Sequence, residues 1–230
     1  MGLAIFAVLF AAGLILSAHR QLKRVAAEPL PPPSPVAEMT TIETETFLRT
    51  TAHEAGHALV GWFSTIVADV TSIEHHGYRA ITMFTVLDSP SLTSGAIWEV
   101  PRLYLSGIAA ERLCFGDFEA EGAMSDITTA LQAARKIIAH GCPGIEYERN
   151  TMSYVIPAPD FAQIYPMLAI TPDEDEVLRL AYTKAAETII DNNKGFLRLW
   201  RAMVPRRNEL VLLSRDEIMA SFGPRLWAPK

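Results

Sequence analysis

The stretch TAHEAGHALV, residues 51–60, sets the tightest condition on how this chain can fold. His53 and His57 stand four positions apart, with Glu54 directly after the first. On an α-helix, positions i and i+4 share a face, with their Cβ atoms about 5–6 Å apart. Two imidazoles at that separation can converge on one cation, each metal–nitrogen bond being about 2.0–2.1 Å long. Glu54 is turned from His53 by roughly a quarter of a turn, so it stands beside such a cation and not on it. The segment must be helical if the three side chains are to act together. Gly56 in its middle needs a reason, because glycine inside a helix costs about 1 kcal/mol against alanine. Either another backbone packs closely there, or open space is kept beside the metal.

Those side chains are the parts of a zinc hydrolase. Zinc acidifies water towards a pKa near 7, and a carboxylate placed like Glu54 can take the proton as the water attacks a carbonyl. Glu54 is the expected general base, and His53 and His57 are the expected metal ligands. The competing reading is a pair of helix histidines that bind nothing. A catalytic zinc normally takes three protein ligands, and local spacing does not supply the third. His19 flanks an apolar run at the amino terminus and is too distant. His75 and His76 are adjacent, so a strand would send them to opposite faces. His140 falls in the last turn of an expected helix, where a histidine commonly serves the helix dipole.

Composition narrows the alternatives. With 230 residues, half of them hydrophobic, the chain can bury one substantial core plus appendages. The net charge of −6 and the lack of a long basic block leave no electrostatic footprint for nucleic acid. Two cysteines, Cys114 and Cys142, make no disulfide framework and fit a reducing compartment. No Walker-type GxxxxGK[ST] occurs. Residues 1–18, MGLAIFAVLFAAGLILSA, carry no charged side chain and are long enough to cross a bilayer. Arg20, Lys23 and Arg24 follow the apolar run, whereas a secretory signal normally has its charge before it. These flanks predict a single-pass anchor over residues 1–19 with the remainder cytoplasmic; a cleaved signal is the competing reading. Five prolines between Pro29 and Pro35 make 20–39 a stiff spacer after a basic flank.

The globular domain is expected over 40–230, mainly α with a small β-sheet. Thr40 and Glu43 are spaced as a capping box for a helix to about Ser64. Alternation and β-branching between Val67 and Leu87 predict two or three short strands. Helices are expected from Trp98 to Phe115, from about Ser125 to Gly141, and from the Thr171 cap to about Asn193. Shorter helices follow, one before Pro205 and one opened by Ser214 with Glu217. The apolar, aperiodic stretch 142–169 reads as a packed loop.

Three separated stretches together resemble one family, the peptidase domain of the FtsH-type membrane-bound, ATP-dependent zinc proteases. TAHEAGHALV looks like its zinc helix. LSGIAAERLCFGDFEAEGAMSDITTALQAAR looks like its second signature, and DEDEVLRLAYTKAAETIIDNN like its late helix. The resemblance covers roughly residues 40–222 and implies a zincin-like helical peptidase fold with Zn2+ as cofactor. It also implies that the third zinc ligand is Asp126, which read alone could be a first-turn acid favoured by the helix dipole. Glu111, in IAAERL, is either a residue supporting the metal ligands or an ordinary salt-bridged helix glutamate. The family carries an AAA+ ATPase module between anchor and protease, where this sequence has its proline-rich spacer. The expected function is therefore a membrane-anchored zinc endopeptidase acting on flexible or unfolded polypeptides without its own ATP hydrolysis. A second copy of the chain or a separate ATPase are open as partners. The alternative is a membrane-tethered binding or adaptor protein that keeps the protease fold.

Overall fold

The computed structural model describes residues 41–76, 79–87, 96–142, 144–152, 156–206 and 209–223. The expected anchor and spacer, and Thr40, lie outside the described residues. Among the described residues, no helix is long and apolar enough to cross a membrane.

Helix α1 (Thr41–Phe63) carries the histidine motif through the middle of the core. Every residue from Thr51 to Trp62 is buried, which is why this half of the helix has no polar face. Its last residue, Phe63, is half exposed and meets the Phe222 ring. Two antiparallel strands follow, β1 (Val67–His76) and β2 (Arg79–Val86). Helix α2 (Ala96–Phe115) packs on α1 and ends at Gly116, whose φ of +93° favours glycine. Helix α3 (Met124–Ala139) buries Ile127, Ala130, Leu131, Ala134 and Ile137, five of the six residues at helical spacing, with Ile138 partly buried beside them.

The stretch expected to be a packed loop differs. It contains two short helices, α4 (Ile145–Asn150) and α5 (Phe161–Ile164), and a 3-10 turn at Pro166–Leu168. Pieces of six and four residues are too short to print a helical period. Asp160 caps α5 by accepting from the Gln163 backbone N–H at 2.9 Å.

Thr171 is the expected cap at the start of α6 (Pro172–Asp191), and Glu174 completes a capping box with it. The chain breaks at Asn192 and continues as α7 (Asn193–Met203). Ser214 and Glu217 likewise cap α8 (Arg215–Phe222). Immediately before it, Val211–Ser214 form β3, a strand the sequence reading does not contain. β3 pairs antiparallel with β1, matching Ile73 to Leu213, so the sheet order is β2-β1-β3. Four residues running straight into a helix cap give too little alternation to be read as a strand. The result is an α+β fold with α1 at its centre, α2 and the sheet against it, and α6 against α2.

Gly56 allows α1 and α2 to touch. A Cβ there would lie 2.4 Å from the Ser106 carbonyl oxygen and 2.7 Å from Ala110 Cβ. The close-packing reason for Gly56 holds, since its neighbour is backbone and cannot step aside. Gly56→Ala gains about 1 kcal/mol of helix propensity but overpacks a backbone contact, which typically costs 1–3 kcal/mol and here falls at the upper end. The expected outcome is a net loss of roughly 1–2 kcal/mol, read as a lower urea midpoint at unchanged m-value.

Candidate metal centre

His53 and His57 sit one helical turn apart on the buried part of α1, both facing α2 and the first turn of α3. Each is less than a tenth exposed. Space for His53 comes from a second glycine. A Cβ on Gly107 would stand 2.3 Å from His53 Nε2 and 2.4 Å from Cδ2. The two imidazole rings meet nearly edge to face, with centroids 4.7 Å apart.

The outer nitrogens of both rings are tied down. His53 Nδ1 lies 2.6 Å from Glu111 Oε1, and Glu111 is itself buried on α2. Glu111 Oε2 accepts the backbone N–H of Glu119 at 3.0 Å, so this carboxylate joins the histidine to the loop before α3. His57 Nδ1 lies 2.8 Å from the Leu103 carbonyl oxygen and 3.1 Å from Ser106 Oγ. A carbonyl can only accept, which puts a proton on His57 Nδ1. Ser106 gives its own hydroxyl proton to the Leu103 carbonyl at 2.6 Å.

Both Nε2 atoms then point inwards at one atom. Asp126 Oδ2 is 2.8 Å from His53 Nε2 and 3.2 Å from His57 Nε2. With protons on both Nδ1 atoms, neutral rings present two lone pairs to a carboxylate oxygen. Such an arrangement needs something positive in its middle, either a proton or a metal ion. Tetrahedral bonds of about 2.1 Å would hold ligand atoms roughly 3.4 Å apart, so an ion would fit once Asp126 drew back by a few tenths of an ångström from its 2.8 and 3.2 Å contacts. Two imidazoles and one carboxylate, oriented through their far nitrogens by a carboxylate and a carbonyl, suit zinc and other divalent ions. His53, His57 and Asp126 are the group among the described residues able to hold a metal.

Glu54, next to His53 on α1, is buried, and its charge acts on His53. Its Oε2 accepts the Thr82 hydroxyl of β2 at 2.6 Å. Among the other histidines, His140 is exposed and bonds the Lys136 carbonyl within its own helix. His19 and the side chains of His75 and His76 lie outside the described residues. Of the two readings of Glu111, the support of His53 is the one its contacts match. Leu103 and Thr82 escape sequence reasoning altogether. A backbone carbonyl has no letter of its own, and a threonine in a strand looks like any other.

Burial disfavours a charged His53, but Asp126 and Glu111 outweigh it and hold its pKa up at about 10. Burial likewise works against the Asp126 carboxylate, yet the charge of His57 and the His53 hydrogen bond bring its pKa well below the usual carboxylate range. The metal-free centre therefore keeps a proton through neutral pH.

No model of a known protein family matches the chain, and no curated protein matches it. The FtsH-type resemblance rests on the motifs quoted above.

Two outcomes follow from this geometry. Gly107→Ala drives a methyl group into the His53 ring and should remove stoichiometric metal binding at concentrations that saturate the parent, measured by metal analysis after gel filtration. A metal at His53 Nε2 must expel the proton held there up to about pH 10. Raising the pH lessens that competition, so affinity should tighten roughly tenfold per pH unit for one released proton. Competition with a calibrated chelator between about pH 6 and 8 reads this; a flat profile contradicts the proton-bridged centre.

Proposed function

We propose that the chain is a zinc-dependent endopeptidase hydrolysing peptide bonds in flexible or unfolded polypeptides. It is tethered to a membrane by residues 1–19, with its peptidase domain in the cytoplasm. The observation that carries the reading is the meeting of two imidazole Nε2 atoms with Asp126 Oδ2 at one point, with Glu54 buried next to His53 on the same helix. His53 and His57 would hold the ion through Nε2 and Asp126 through Oδ2. When bound, zinc supplies the Lewis acidity that polarises a carbonyl and makes water a nucleophile near neutral pH.

The chain's own groups do the rest. Glu54 accepts the proton that water loses on attack and returns it to the departing amine nitrogen, so one carboxylate serves as base and then acid. Glu111 and the Leu103 carbonyl fix the two rings so that their inner nitrogens stay directed at the ion. Burial of the centre keeps bulk water from competing. The 230 residues hold no Walker motif for a motor, so substrates are those already unfolded.

A second reading, a tethered adaptor, has one observation in its favour. Tyr147 and Met167, in the segment between α3 and α6, are 69% and 68% exposed, and large apolar side chains left in water often mark a contact surface.

Glu54→Gln keeps the size and polarity of the side chain but cannot take a proton. Hydrolysis of a fluorogenic unstructured peptide should fall by roughly a hundredfold or more while one zinc per chain stays bound. Turnover at the parental rate would end the mechanism. One zinc per chain with no turnover on casein or any unfolded peptide would favour the adaptor.

A further inference from the structure

The Glu54 carboxylate receives one hydrogen bond from the described residues, and it comes from strand β2. Thr82 Oγ1 stands 2.6 Å from Glu54 Oε2 and 3.0 Å from the Glu54 backbone carbonyl oxygen. Thr82 is buried in the sheet facing α1, and its single hydroxyl proton can serve one of these acceptors fully. The carbonyl, in mid-helix, already has the helix ladder as its partner. The shorter contact is to the carboxylate, and a hydrogen bond to an ionised acceptor is the stronger of the two.

We propose that Thr82 is the positioning residue for Glu54: by donating to Oε2 it fixes the side-chain rotamer and leaves Oε1 as the oxygen that receives the proton from water. A glutamate otherwise rotates about three side-chain bonds, and a base held in only a fraction of its rotamers is in reach of water only that fraction of the time. The hydroxyl removes that freedom. It does so from the sheet, so the base on α1 is registered against β2 and not only against its own helix. His53 and His57 are aligned by α2, through Glu111 and Leu103, whereas Glu54 is aligned by strand β2. A side chain there without a hydroxyl would leave the carboxylate buried with no donor among the described residues.

This inference rests on Glu54 being the general base, and the experiment separates the two. The zinc-loaded full chain is compared with Thr82→Val, Thr82→Ser and Glu54→Gln on a fluorogenic unstructured peptide, with zinc content and thermal midpoint measured for each. Thr82→Val, which keeps the shape and loses the hydroxyl, should lower kcat roughly tenfold to a hundredfold, with KM and zinc content within twofold of the parent. Thr82→Ser should restore most of kcat. A crystal structure of zinc-loaded Thr82→Val should show the Glu54 carboxylate in a different rotamer or in several. Parental kcat in Thr82→Val, an equal loss in Thr82→Ser, or an unmoved Glu54 in that crystal structure would overturn the positioning role alone. A parent without turnover, or an active Glu54→Gln, would remove the general-base reading and this inference with it.

Discussion

The close approach of α1 and α2 is the constraint on which the rest of this structure depends. Two glycines permit it from opposite sides. Gly56 on α1 lets the Ser106 carbonyl come within a distance that a methyl group would forbid, and Gly107 on α2 leaves room for the His53 ring. Only at this separation can Glu111 and the Leu103 carbonyl of α2 reach the imidazoles of α1. Glycine weakens a helix by about 1 kcal/mol against alanine. At these two positions that loss is offset by contacts no other residue allows. Together with the sheet on α1, this contact buries Thr51 to Trp62 and holds the histidine pair in place through its two Nδ1 partners.

That rigidity has an electrostatic consequence. Three carboxyl groups, from Glu54, Glu111 and Asp126, surround two imidazoles in a place where water is scarce. Burial alone would work against the charged forms of both His53 and Asp126. The acids instead keep a proton on His53 well above its ordinary range, and the imidazoles keep Asp126 ionised. A metal-free centre solves its charge problem with a proton, and a divalent cation would solve it with the same lone pairs. Metal binding and protonation are therefore alternatives at one point in space.

The placing of the histidine pair on one helix, with Glu54 next to it, was legible in the sequence because the relation is local: the two histidines are four residues and one helical turn apart. So were the helix starts at Thr171 and at Ser214 with Glu217, and the buried stripe of α3, each set by short-range spacing. Asp126 was not legible in that way. It lies 73 residues from His53, and nothing about a first-turn aspartate announces which way it will point; only the likeness of a longer stretch to a known signature singled it out. Strand β3 and helices α4 and α5 were missed because a few residues cannot display a period. Thr82 and the Leu103 carbonyl were missed for a different reason. Their roles exist only once the sheet and α2 have been laid against α1, a tertiary fact with no local trace.

The central claim is that His53, His57 and Asp126 close on one cation. Anomalous diffraction at the zinc edge on crystals of the zinc-loaded chain tests it most directly. The account predicts a single peak within about 2.0–2.2 Å of His53 Nε2, His57 Nε2 and an Asp126 carboxylate oxygen, with the fourth position free of protein atoms. A peak elsewhere, a site that excludes Asp126, or no peak at full zinc loading would contradict it.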